Sequence, residues 1–375
     1  MTTPTTSAAD ELRRLMTERL AADGTLHDPA WRDAFASVPR EVFVPEFTLR
    51  ARGGKVRYTP ADPSWIAAVY QDASLVTQAN DAGTATSSST APTVMARMLE
   101  ALDVEDGNRV LEVGTGTGYN AALLSHRLGG NRVTSVDVDP ALVDAARDRL
   151  RIAGYAPTLA AGNGMAGYPD HAPYDRLVAT CGVGRVPDAW RTQVRPHGVM
   201  VVAVGYGIAR LAIGEDHSAC GRFLPHLTAF MAARSTPDAT TAAGRHVAGT
   251  LATAQGDRQA IVVPVGLDAE APQFLASLVH PDVAQISLTN EEGKAVRCLY
   301  TPDMTSWARI TMRDPREAEL IHGGPRDLWA ERAPYLRAWV TAGRPGIHRY
   351  GLTVTAEGGH TLWLDDPAGH AWPLM

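Results

Sequence analysis

Three glycines spaced by single residues, Gly114, Gly116 and Gly118, follow the apolar run RVLEV and precede a helical pattern that opens near Tyr119. Glycines at such a turn let the backbone reverse sharply and let a ligand press against the main chain. The helix that follows turns unpaired N–H groups and partial positive charge toward that ligand. A diphosphate is not the obvious guest, because the dinucleotide pattern G-x-G-x-x-G would need glycine at 119, where tyrosine stands. Glu112, at the strand end, is unhelpful beside phosphates and useful beside an ammonium or a sulfonium.

Asp137 ends the next apolar run, VTSVDV, where a carboxylate can accept both hydroxyls of a ribose. Capping the following helix is the other use for an acid here, but Asp139, directly before Pro140, suits that task better. Gly162-Asn163-Gly164 comes after the third strand position, suited to a polar contact with an adenine. In this order, with strand–loop–helix context, the elements predict binding of S-adenosyl-L-methionine. The expected contacts are Glu112, Gly114, Thr115, Gly116, Gly118, Asp137, Val138, Asn163, Gly164 and Thr180.

These residues need a scaffold. From about Ser87 to Arg234 apolar runs (RVLEV, VTSVDV, RLVAT, VMVVAV, then ARLAI and TAFMAA) alternate with amphipathic stretches such as AALLSHRL and PALVDAARDRL. That alternation predicts βαβ units and a doubly wound, Rossmann-like α/β sheet, the class I methyltransferase arrangement. The expected boundaries are a helical cap and substrate-loop segment over 1–86, the core over 87–234, a small-residue polar linker over 235–259, and an α+β substrate-recognition domain over 260–375. In the last, six runs read as strands, and RDLWAERAPYLRAWVTAG places Leu328, Trp329, Leu336, Trp339 and Val340 on one helical stripe. Five of the eight tryptophans fall in this tail, where core packing is their ordinary use.

Composition narrows the field. At 375 residues, with 45% hydrophobic and 20% charged residues, the chain reads as an ordinary globular protein long enough for two domains. A formal net charge of −6 argues against nucleic acid as a main partner. No apolar run has the length of a membrane span, and the start lacks a secretion pattern. Cys181, Cys220 and Cys298 are far apart, so neither a disulfide framework nor a metal site is expected, and the chain reads as cytoplasmic. The fourth strand runs into Thr180-Cys181-Gly182-Val183, without the Asn/Asp-Pro-Pro-aromatic tetrad common in enzymes that methylate base amines.

VPREVFVPEF, STAPTVMARMLEAL ahead of RVLEVGTGTGY, GNGMAGYPDHAPYDRLVATCG and RPHGVMVVAVG together resemble the protein-L-isoaspartate O-methyltransferase family, from about Val38 to Arg234. The resemblance implies esterification of an aspartyl side carboxylate in a peptide. Such an acceptor is already ionised at neutral pH, its ordinary pKa being about 4, so positioning and not general-base chemistry is required. The family places a hydroxyl just before the proline that opens a helix, and Thr90 matches it, with Ser88 and Ser89 crowding the same approach. The same Ser/Thr run could cap the helix opening near Thr93.

Three departures stand out. The family's proline-containing loop is replaced by VYQDASLVTQANDAGTATSSST, the Asp of its Gly-Asp-Gly is Asn163, and a tail of more than a hundred residues follows. The altered loop together with the added tail resembles the branch associated with lanthipeptides and graspetides. There a chosen aspartate of a ribosomally made peptide is esterified, and the backbone then closes a succinimide, which persists or opens to isoaspartate. General isoaspartyl repair is the alternative.

Overall fold

Short turn signals and alternating apolar runs divide the chain into nineteen strands and eleven α-helices among the described residues of a computed structural model. Described are residues 7–51, 54–81, 83–237, 244–263, 269–290 and 292–374. The N-terminal part comprises α1 (Ala8–Ala22), α2 (Pro29–Ser37), α3 (Arg40–Phe43), β1 (Phe47–Ala51), β2 (Gly54–Tyr58), α4 (Trp65–Val69), β3 (Leu75–Ala79) and β4 (Ala85–Ser89). The middle comprises α5 (Pro92–Leu102), β5 (Val110–Val113), α6 (Tyr119–Leu128), β6 (Val133–Asp137), α7 (Pro140–Ile152) and β7 (Thr158–Ala161). It continues with β8 (Tyr174–Val183), α8 (Asp188–Gln193), β9 (Val194–Val204), β10 (Gly207–Ile213) and β11 (Ala219–Phe223). The tail opens with α9 (Gly244–Thr253), β12 (Asp257–Val262), α10 (Glu270–Val279), β13 (Ala284–Thr289), β14 (Ala295–Tyr300) and β15 (Trp307–Met312). It ends with β16 (Glu317–Gly323), α11 (Leu328–Thr341), β17 (Tyr350–Val354), β18 (His360–Leu364) and β19 (His370–Leu374).

The doubly wound core is as expected. A ten-stranded sheet runs β19-β18-β17-β11-β10-β9-β8-β5-β6-β7, with β5 to β9 parallel to one another. Chain direction across the sheet reverses at β5, whose neighbours are β6 on one side and β8 on the other. Ligands of such sheets bind at that switch point, beyond the carboxyl ends of the strands. Local chemistry places the helices: Asp139 accepts from the Ala141 amide at 2.9 Å and Pro140 opens α7.

Four sequence expectations are corrected. The segment expected as a helical cap and substrate loop over 1–86 also carries a sheet: β1 to β4 are antiparallel, order β2-β1-β3-β4, so the Ser/Thr run over 85–89 is a strand. TAFMAA is not a strand but an irregular segment touching the sheet by one bridge, Gly182 to Ala232. The proposed linker contains α9, whose Val247 and Leu251 are buried, together with the start of β12; its residues 238–243 lie outside the described residues.

The fourth concerns the boundary at 260. Only β12 to β16 form a separate sheet, order β12-β16-β15-β14-β13. The last three strands return to the core sheet, β17 pairing with β11 from Ala219↔Val354 to Arg222↔Gly351. The aromatic stripe of α11 explains how the sheets are held: Leu328, Trp329 and Leu336 enter the core of the five-stranded sheet, whereas Trp339 enters that of the ten-stranded one. No helix among the described residues is long and apolar enough to cross a membrane.

Candidate active site

The glycine loop owes its shape to steric exclusion. Gly114, Gly116 and Gly118 all have positive φ, 100°, 51° and 89°. A Cβ on Gly114 would also fall 2.6 Å from Thr180 Oγ1, and one on Gly118 would press against Ala146 of α7. The Gly114 amide donates to Val136 O at 2.8 Å, and the Gly116 amide donates to Asp137 Oδ2 at 2.8 Å. The Asp139 amide donates to Asp137 Oδ1 at 3.1 Å. Each carboxylate oxygen retains acceptor capacity, and burial, opposed by these two amides, holds the Asp137 carboxyl above its ordinary range.

A cavity of about 490 Å³ opens at this switch point. Of the ten expected cofactor contacts, Gly114, Gly116, Asp137, Val138, Gly164 and Thr180 line it. Thr180 Oγ1 donates to Gly114 O at 2.8 Å and fixes the loop against β8.

The other four stand off the wall. Glu112 is wholly buried beneath the loop, accepting from Asn120 Nδ2 at 2.7 Å and Ser135 Oγ at 2.5 Å. It braces β5 against α6 and β6 and does not line the cavity, and burial pushes its carboxyl up to about 7. Thr115 is turned inward to Ser135 Oγ at 2.6 Å, and Gly118 faces α7. Asn163 Oδ1 folds back onto the Met165 amide at 3.0 Å, leaving Gly164 and Met165 as the cavity wall.

Opposite the glycine loop lies β4. Strand alternation buries Ser87 and Ser89 and leaves Ser88 half-buried, followed by half-buried Thr90 just past the strand. Ser88 and Thr90 line the cavity; Ser89 does not, its hydroxyl accepting from Arg40 Nη2 at 3.5 Å. The run also fails to cap α5. That end is capped from a distance by Asp72, which accepts from the Thr93 amide at 2.9 Å and Thr93 Oγ1 at 2.6 Å.

Two further contributors left little mark in the linear pattern. Arg40 is wholly buried and donates to the carbonyls of Val69, Gln71 and Ala73 (2.7, 3.2 and 3.3 Å) and of Thr90 at 3.1 Å. It ties the segment before β3 to the residue facing the cavity; a lone arginine in the apolar run VPREVFVPEF was its only signal. Residues 227–234 form a whole cavity wall. The Gly182 amide donates to Met231 O and the Ala233 amide to Gly182 O, both at 2.8 Å. At the end of this wall Arg234 donates to Thr86 O at 3.2 Å and, through its other nitrogen, to Pro237 O. Its charge opposes the upward shift at Asp137. Cys181 also lines the cavity, but burial pushes its thiol up to about 12, so it stays protonated and poorly nucleophilic.

The cavity is thus polarised, with the Asp137 carboxyl by the glycine loop and the Arg234 guanidinium on the opposing wall. This donor set fits a guest carrying vicinal hydroxyls and a cationic centre beside an anionic one. Its volume lies within the range of small-molecule sites.

The sequence model for Protein-L-isoaspartate(D-aspartate) O-methyltransferase (PCMT) matches residues 11–213. A protein-L-isoaspartate O-methyltransferase of Ignicoccus hospitalis is 34% identical over 197 residues, 52% of this chain and 82% of that one. One from Methanosarcina mazei is 36% identical over 199 residues, 52% of this chain and 71% of its own. A solved structure bearing the same name superposes with a TM-score of 0.55 at 21% identity, covering 94% of this chain and all of that one. This is a likeness of fold, and it extends into the tail.

Proposed function

The chain belongs to the protein-L-isoaspartate O-methyltransferase family, and from that premise we propose that it methylates the side carboxylate of an isoaspartyl or aspartyl residue in a peptide. The observation that carries the reading is one cavity lined by Gly116, Asp137, Ser88, Thr90 and Arg234 together.

S-adenosyl-L-methionine, when bound, supplies an electrophilic methyl group on a sulfonium. The residues that would hold it are the backbone of 114–116, Asp137 through the ribose hydroxyls, and Gly164 and Met165 along the adenine. The acceptor needs no base, being already a carboxylate. What the chain provides is orientation: Arg234 draws the anion to the wall, and the Thr90 hydroxyl donates to it, held in place by Arg40 on its carbonyl. Transfer would form a bond from a carboxylate oxygen to the methyl carbon and break the methyl–sulfur bond, so the chain need only hold the two groups in line. Exclusion of water by the apolar wall, Leu227, Phe230 and Met231, keeps the nucleophile partly desolvated.

A second reading is modification of one chosen aspartate in a ribosomally made peptide. The changed segment between Tyr70 and Thr90 favours it. The tail does not discriminate, since a solved structure named for the isoaspartate enzyme matches the fold over 94% of this chain. After esterification the next residue's backbone nitrogen would attack the ester carbonyl, expelling methanol and closing a succinimide.

The test is methyl transfer from labelled cofactor to paired peptides differing only in aspartate or isoaspartate, read as methanol released by mild base. Transfer to the isoaspartyl member alone supports repair, and transfer to the aspartyl member supports tailoring. Tight cofactor binding without transfer to either would overturn the proposal.

A further inference from the structure

Buried guanidinium groups must spend their five N–H donors on something, because an unpaired charge away from water is costly. Three buried arginines of the core spend several donors on carbonyls or a carboxylate, although Arg40 and Arg191 each also leave a buried Nε without an acceptor. Arg40 reaches four carbonyls. Arg176 reaches Leu102 O and Asp103 O. Arg191 pairs with Asp188 and donates to His217 O. Arg332, on α11, differs in making a single hydrogen bond among the described residues. It is only 7% exposed, donates to Gln285 Oε1 at 2.9 Å, and leaves its buried Nε with no acceptor. No carboxylate lies within ion-pair distance of it among the described residues. Burial and the nearby Arg297 pull its pKa down to about 10, so it remains a cation at neutral pH.

Arg332 also has somewhere to point. It lines a second cavity of about 250 Å³ between the two sheets, with Tyr206, Ser277, His280 and Gln285 around it. His280 is itself held below its ordinary range by burial and by the charge of Arg332. It is therefore neutral at neutral pH, and the guanidinium is the cation on this wall. Phe230 and Ala232 line both this cavity and the first one, so a single irregular strip of chain separates them. A peptide whose aspartyl side chain enters the first cavity would cross that strip and run into the second.

We infer that Arg332 and Gln285 form a subsite for a carboxylate of the substrate peptide, carried by an acidic side chain on a residue flanking the methylated one. This rests on the reading of the chain as a peptide carboxyl methyltransferase. A planar guanidinium with free donors matches a carboxylate in two parallel hydrogen bonds, a geometry that a point charge does not reproduce. The subsite accounts for how an enzyme could single out one aspartyl residue by its sequence surroundings, using binding energy away from the reacting atoms.

The test uses the full chain with bound adenosylhomocysteine and a series of fluorescent, C-terminally amidated peptides. Each carries one isoaspartyl residue and a single glutamate, or glutamine as control, at successive positions on either side. Wild type is expected to bind one glutamate position about tenfold or more tighter than its glutamine control. In Arg332→Met that preference should vanish while adenosylhomocysteine affinity and transfer to the glutamine peptide stay unchanged. The melting temperature should be equal or higher, because an unpaired buried charge has been removed. Arg332→Lys, which keeps the charge and loses the fork, should lose most of the preference, and it carries the test should the methionine variant fail to fold. An arm with a free C-terminus and no acidic side chain distinguishes a terminal carboxylate as the source. Absence of any glutamate preference in wild type, or its persistence in Arg332→Met, would overturn the subsite. Failure of methyl transfer to every peptide, with an Arg332-dependent preference in binding, would instead overturn the proposed reaction and leave the subsite standing.

Discussion

The Gly116 amide and the Asp137 carboxylate are joined by a 2.8 Å hydrogen bond, so the acid assigned to the ribose also holds the loop that would meet the rest of the cofactor. Replacing Asp137 by alanine removes both. Adenosylhomocysteine affinity should fall on the order of a hundredfold, from the loss of charge-assisted bonds worth about 1.5–3 kcal/mol each. Titration calorimetry on a variant shown to be folded is the check, and an unchanged dissociation constant would remove Asp137 from the site.

Glu112 makes a different prediction because it lies beneath the loop. Its carboxyl has an ordinary value of 4.5 and is pushed up to about 7 by burial. A raised value in the folded state means that the folded chain binds the extra proton. The stability contribution is therefore full below about 4.5 and is lost as pH rises to about 7, up to about 3 kcal/mol. Asp137, also raised, adds in the same sense. Glu112→Gln should flatten this part of the profile, and the difference between the two melting curves across pH isolates the residue from His280 and His360, whose lowered values act in the opposite sense.

Thr90 and Ser89 separate chemistry from packing. Thr90→Ala should lower turnover about ten- to a hundredfold at unchanged cofactor affinity, and Thr90→Ser should restore most of it. Ser89→Ala, whose hydroxyl faces Arg40 instead of the cavity, should leave turnover nearly intact. If Ser89→Ala proved as damaging as Thr90→Ala under saturating peptide, the assignment of Thr90 would be wrong.

For Arg234 the expected signature is in the peptide KM. Arg234→Met should raise it about tenfold while adenosylhomocysteine binding holds, since the guanidinium is assigned to the acceptor and donates to Thr86 O at 3.2 Å rather than to the loop. A loss confined to cofactor affinity would place the side chain on the other substrate.

Ending the chain after Arg234 should yield insoluble or unfolded protein, not an active core. The cut strips β17 from β11, leaving a bare sheet edge, and removes Phe274, Trp339, Tyr350 and Leu352 from the main core. A soluble fragment with a cooperative melting transition would contradict this.

The part of the site legible in the sequence is the part made by neighbours along the chain. A strand ending in a glycine turn, a helix opening behind it and Asp139 capping α7 are decided by backbone sterics and local hydrogen bonds, which leave marks a few residues apart. The polar run over 86–90 could not show that Ser88 and Thr90 line the cavity while the Ser89 hydroxyl meets Arg40, because that depends on a buried arginine about fifty positions away. That Glu112 sits beneath the loop, bonded to Asn120 and Ser135, was not legible either, since which face of β5 meets α6 is a matter of packing. The remaining features join residues far apart: Arg40 to Thr90 across 50 positions, and Arg234 to Thr86 across 148. Likewise the tail's return to the core sheet, and the unsatisfied Arg332 between the two sheets, exist only once distant strands have paired. Nothing local encodes them, because their free energy comes from burial and pairing that the folded chain alone brings about.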